Sequence, residues 1–311
     1  MTNIDINQGM LSLAHTQAIG AETKITVNHD GILNSGMQAV GNVVLNTDGS
    51  RTALLSSTKG TTTLNSLILA KDNQLIDFND VTKSASAAKK ERSLYVKNLI
   101  LMANAHIKNA DLVLTDKVTD SSQVAGKLVL NAASASANSN GTAFFDRSGT
   151  LELANGSVLD LKGYSNENGA AKKEIIVNNS SIGTSHWVSD GSDSSNFNNN
   201  ITFVGNSRLR NGSDSGKKVI FSGNFAGAEN AITQIEGHSP IALTGDLSKF
   251  YGRFGLAQKL LEIDGADGQV VNAGFTQNAN QKNHGFVHSQ NKSLILAGDN
   301  RDLPVLLAKL R

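Results

Sequence analysis

The segment Leu151-Glu-Leu153-Ala-Asn-Gly-Ser-Val158-Leu-Asp-Leu161 decides the fold. Leu151 and Leu153 stand two residues apart, so both side chains fall on one face of an extended strand. The following Ala-Asn-Gly-Ser favours a turn. Val158 to Leu161 then opens a second short strand. The same phrase recurs along the chain at Ile25-Thr-Val27, Leu67-Ile-Leu69, Leu99-Ile-Leu101, Leu128-Val-Leu130, Ile201-Thr-Phe203 and Leu294-Ile-Leu296. Successive starts lie roughly 24 residues apart, with longer intervals where Ser- or Asn-rich segments intervene, and a period of that size is the mark of a repeat architecture. No helical pattern of useful length separates the strands, which argues against doubly wound α/β and leucine-rich folds.

The expected architecture is therefore all-β: a right-handed parallel β-helix, built as a three-sheet solenoid of about 12 coils with loop insertions. Each inward apolar residue would stack on its equivalents one coil above and below. With strands ~4.8 Å apart, the coils would make a rod roughly 55–60 Å long. Leu101, Leu130, Leu153, Phe203, Phe221 and Leu243 are expected to point inward. The chain reads as a single domain over residues 1–311, with insertions near 83–92, 131–141, 163–174, 190–200 and 277–292. The first of these is rich in Ala, Lys, Glu and Arg and suits a short helix.

Composition narrows the function classes. Lys plus Arg is 28 against 27 for Asp plus Glu, a net charge of +1. That balance argues against nucleic acid, whose binders carry a basic excess for phosphate. Charged residues make up 18% of the chain, below the ~25% of ordinary globular proteins. Polarity comes instead from Asn, Ser, Thr and Gly. Cysteine is absent, which excludes a disulfide framework, a thiol nucleophile and a zinc knuckle. Met1-Thr-Asn-Ile-Asp lacks the basic start and apolar core of a signal peptide. No apolar run reaches the ~18–20 residues of a membrane helix. A soluble piece excised from a longer protein is expected, with no direct membrane insertion.

Two segments share more than a period. Val219-Ile-Phe221-Ser-Gly-Asn-Phe225-Ala-Gly and Ile241-Ala-Leu243-Thr-Gly-Asp-Leu247-Ser-Lys-Phe250-Tyr-Gly both run apolar strand, Ser/Thr-Gly-Asn/Asp, apolar residue, Gly. Together with Gly149 to Leu161, they resemble coils of bacterial type V autotransporter passenger domains. The absence of cysteine is also typical of that family. The resemblance implies a passenger exported through an outer-membrane barrel to the bacterial surface or medium. Neither the barrel strands nor the long signal peptide of the family is present in this segment. Two-partner-secreted haemagglutinins are similar in architecture, though their N-terminal signature is only faintly echoed by Asn28-His-Asp-Gly-Ile32.

Catalytic patterns are incomplete. Asp214-Ser-Gly216 is similar to the nucleophile motif of trypsin-like proteases, but Ser213 stands where Gly is required, and a triad also needs a His and a buried Asp held by a double β-barrel. Asn46-Thr-Asp48 and Gly237-His-Ser239 resemble polygalacturonase motifs, yet the expected Asp-Asp pair between them is missing. The pairs Asp111/Asp116, Asp190/Asp193 and Asp264/Asp267 could supply two carboxylates for glycoside hydrolysis, but each sits among turn residues. His284-Gly-Phe-Val-His288 has metal-like spacing without a third ligand. No cofactor and no metal are expected. Asn-x-Ser/Thr sequons, among them Asn155-Gly-Ser, Asn200-Ile-Thr and Asn211-Gly-Ser, are frequent in so Asn-rich a chain.

These features favour a non-enzymatic adhesin module. It would associate with like molecules on neighbouring cells through weak multivalent contacts, or bind host matrix protein or glycan. Candidate surface-contact residues are Lys83, Lys89, Lys90 and Arg92 in one loop, and Asp190, Asp193, Asn196, Asn198, Asn199 and Asn200 in another. Two alternatives are a polysaccharide-degrading β-helix hydrolase, lyase or phage tailspike, and a passive stalk that presents another domain.

Overall fold

The computed structural model describes residues 2–15, 18–36, 38–78, 92–97, 99–102, 104–108, 111–114, 127–136, 143–146, 148–161, 163–166, 173–184, 195–212, 216–256, 261–277, 286–288 and 294–296. These residues form an all-β parallel solenoid of about 9 turns. The one helix among them is the four-residue Ala143–Asp146. The chain divides into two compact units, Met1–Val158 and Leu159–Arg311.

In the first unit, three columns of parallel strands climb in register. One aligns Ile25, Val43, Leu67 and Leu99, with Val27, Leu45, Leu69 and Leu101 two residues further on. A second runs Leu33, Leu54, Ile76, Ile107, Leu130 and Leu153. A third runs Val40, Leu64, Val96 and Leu114. Like stacks on like because a strand period of 2 sends i and i+2 to one face, and parallel register repeats that face in every coil. The residues of the first two columns are fully buried.

The second unit follows the same plan with larger side chains. Val177, Phe203, Gly227 and Phe250 align in one column, and Ile182, Leu209, Ile235 and Leu256 in another. A third aligns Phe197, Phe221, Leu243 and Ile263. Aromatic rings carry much of this core. Phe203 lies 6.1 Å from Phe225 and 5.8 Å from Phe250, and Phe250 stacks on Phe254 at 4.6 Å. Gly227 leaves the room this needs, since a Cβ there would come within 2.6 Å of the Phe250 ring. All six residues expected to point inward are buried.

Polar side chains hold the corners. Asn155 and Gly156 take positive φ values of 52° and 81°, making the tight turn that Ala-Asn-Gly-Ser suggests. Ser157 Oγ then donates to Leu130 O (2.8 Å) or Ala154 O (2.7 Å) and accepts from Ala133 N–H at 3.0 Å. Ser207 repeats the device against Val177 O and Val204 O. Gln74 Nε2 donates to Thr47 O, and its Oε1 accepts from Thr47 N–H. These bonds give main-chain groups beside the corners buried side-chain partners.

The expected insertions need correction where they contain strands. Ser134–Ser136, Ser195–Phe197 and Phe286–His288 are strands, paired respectively with Asp111–Val113, Val219–Phe221 and Leu261–Ile263. Arg92 opens the strand Arg92–Val96, and Glu174 opens Glu174–Asn178. In each case the neighbouring coil supplies pairing that outweighs weak local propensity. The short helix expected near 83–92 otherwise lies outside the described residues.

Candidate functional site

The outward faces carry ladders of neutral hydrogen-bonding groups. In the first unit Asn28 Nδ2 donates to Asn7 Oδ1 at 3.1 Å, and Asn46 Nδ2 donates to Asn28 Oδ1 at 2.8 Å. Beside it, Asn34 Nδ2 reaches Ser57 Oγ at 2.9 Å and Ser12 Oγ at 3.3 Å. In the second unit, Asn200 Oδ1 accepts from Asn224 N–H at 3.0 Å, and Asn224 Oδ1 accepts from Asp246 N–H at 3.3 Å. The coil repeat causes this. Asparagine at equivalent positions comes within one strand spacing of its counterpart, and each amide has both a donor and an acceptor to pass along. At the two ends of the first ladder, Asn7 Nδ2 and Asn46 Oδ1 take no part in it.

Several charges are paired across the coils. Arg208 and Arg210 flank Glu236, each with Nε 3.2 Å from a carboxylate oxygen. Lys127 pairs with Glu152 at 2.5 Å, and Lys218 pairs with Glu262. His106 lies in register between Leu75 and Val129. Burial pushes its imidazole below the usual range, Lys108 and Lys127 push the same way, and Glu152 opposes them. An outward column of Val44, Ile68 and Ile100 is apolar and half-buried. Sequence reasoning missed the Arg–Glu–Arg cluster and this column. Both were readable only by comparing outward positions one coil apart.

The residues singled out for surface contact divide into four groups. Lys83, Lys89, Lys90, Asp190 and Asp193 lie outside the described residues, and Arg92 is placed only by its strand. Asn196, Asn198 and Asn200 are half-buried. Asn196 Oδ1 accepts from Ser222 Oγ at 2.7 Å, Asn198 N–H donates to Asn166 Oδ1 at 2.7 Å, and Asn200 Nδ2 reaches Glu174 Oε1 at 3.2 Å. Asn199 is a correction. It is fully buried, donates to Lys173 O at 2.9 Å and accepts from Asn166 Nδ2 at 2.8 Å. Its amide fastens a corner from inside and is closed to a partner.

The incomplete catalytic motifs are placed as follows. Asp48 Oδ1 accepts from Ser50 Oγ at 2.6 Å and Ser50 N–H at 2.9 Å. That hydroxyl, with the N–H, holds the exposed carboxyl below its usual range. Asp48 and His238 fall in different units. Asp264 N–H donates to Leu243 O at 2.9 Å, continuing the strand pairing. Asp116, Asp190, Asp193, Asp214, Ser215 and His284 lie outside the described residues. Among the described residues, no group of three or more His, Cys, Asp or Glu could hold a metal ion. No helix there is long and apolar enough to cross a membrane. No protein-family model, curated protein or solved structure matches the chain.

Proposed function

We propose that this chain is a cell-surface adhesin module of the autotransporter passenger kind, binding copies of itself on neighbouring cells. The observation that supports this best is the set of outward ladders at Asn7–Asn28–Asn46, Ser12–Asn34–Ser57 and Asn200–Asn224–Asp246. The Asn and Ser side chains of the first two ladders carry both donors and acceptors, so they are complementary to a second copy of themselves and create no like-charge repulsion on approach. Each contact is weak, because a hydrogen bond made at a wet surface nets little against water. Repetition along the coils and across many displayed copies makes the sum large through effective concentration. On this reading the solenoid is a right-handed, three-sheet β-helix of about 12 coils, carried to the bacterial surface or released. A host glycan or matrix protein is a further partner for the same faces.

The test is to display the segment on otherwise non-aggregating bacteria and follow settling, with sedimentation of the purified chain in parallel. Settling that disappears when Asn28 and Asn34 become Lys, while the melting temperature stays unchanged, supports the proposal. Cells that stay dispersed with the unaltered segment overturn it. Reducing-end release from a polysaccharide panel, lost on changing Asp264 or Asp267, favours the hydrolase alternative.

A further inference from the structure

We infer that Asn155-Gly156 is a spontaneous modification site, a slow chemical clock on an exposed corner of the first unit. The described residues hold two Asn-Gly pairs, and the fold treats them oppositely. Asn155 and Gly156 are both exposed, and a Cβ on Gly156 would meet nothing within 4 Å. The Gly156 N–H has no acceptor among the described residues. The Asn155 amide has one side-chain bond, from Nδ2 to Asn131 Oδ1 at 3.0 Å.

Asn211-Gly212 is buried throughout. Its amide nitrogen is held by Lys217 O at 2.9 Å and Pro240 O at 2.7 Å. Gly212 N–H donates to Thr184 O at 2.9 Å.

The chemistry requires what only the first pair has. The Gly156 main-chain nitrogen loses its proton to hydroxide and attacks Cγ of Asn155. A C–N bond forms, the Cγ–Nδ2 bond breaks, and Nδ2 departs as ammonia with a proton from water. Water then opens the resulting five-membered succinimide at either carbonyl, leaving aspartate or isoaspartate at position 155. No oxidant or reductant takes part. A glycine after the asparagine leaves the attacking nitrogen unshielded, and an N–H without an acceptor has no bond to give up. The product removes the donor that Asn131 Oδ1 receives and adds a negative charge to that corner. The isoaspartate form also lengthens the main chain by one methylene between Ala154 and Ser157, across the turn closed by Ser157 N–H to Ala154 O at 3.2 Å.

The experiment is prolonged incubation of the intact, folded chain in mildly alkaline buffer, followed by peptide mapping for the amide-to-acid mass gain and isoaspartate. The expected result is conversion at Asn155 with Asn211 unchanged, and conversion of both once denaturant unfolds the chain. Asn155→Gln should lose the position-155 signal while its circular dichroism stays that of the unaltered protein. Equal rates at both sites in the folded state, or an intact Asn155 under conditions that convert it when unfolded, would overturn the assignment.

Discussion

At the scale of single residues, Leu153 and His106 make the sharpest demands. Leu153 is fully buried between Leu130 on the coil below and its own flanking strand residues. Leu153→Asp would place a carboxylate among apolar side chains with no cation to meet it. The expected cost is about 4 kcal/mol or more, read as a large drop in melting temperature, whereas Glu152→Gln on the outward face should cost under ~1 kcal/mol. His106 makes a different demand. Burial, helped by Lys108 and Lys127, depresses its folded-state pKa, so the unfolded chain binds its proton first as the solution is acidified. Its contribution to stability is therefore complete above the unfolded value of about 6.5 and is lost as pH falls through the folded one. Melting temperatures measured across that window should fall more steeply for the unaltered protein than for His106→Gln. Parallel slopes would mean that His106 does not titrate differently in the folded state.

At the scale of elements, the strands that were legible are those whose own residues alternate. Leu151-Glu-Leu153 and Ile201-Thr-Phe203 contain enough apolar surface to state which face is inward. Ser134–Ser136 and Ser195–Phe197 do not, and they read as loop until a neighbouring coil supplies their hydrogen-bonding partner. Asn199 misled for a related reason. Asparagine in an Asn run reads as a wet turn, but one amide of the run, held by Asn166 and by Lys173 O, does the work of a buried cap. The distinction between inside and outside amides or hydroxyls can be measured. Ser157→Ala should cost about 1–3 kcal/mol, because the buried Ala133 N–H loses its acceptor. Asn28→Ala removes two ladder bonds in reach of water and should cost under ~1 kcal/mol. Denaturant midpoints at constant slope would decide it, and a larger loss for Asn28→Ala would show that the outward ladder, not the corner, carries the stability.

At the scale of the whole molecule, the sequence is eloquent about architecture and nearly silent about partners, and the cause is physical. A core must repeat its apolar pattern every coil, so it leaves a periodic trace. A weak multivalent face needs only polar residues at outward positions, which composition alone supplies. For the proposed self-association, the kind of force involved is open to test. A contact built from the Asn and Ser ladders is between neutral groups, and screening has little to act on. Association should then persist from low salt to ~1 M, where the Debye length shrinks to about 3 Å. A contact built from the Arg208–Glu236–Arg210 cluster would instead weaken steadily over the same range. Sedimentation of the purified chain across a salt series separates the two. A constant mass-action midpoint assigns adhesion to the amide faces. A midpoint that climbs with salt moves it to the charged cluster, where Glu236→Gln should then alter it and Asn28→Lys should not.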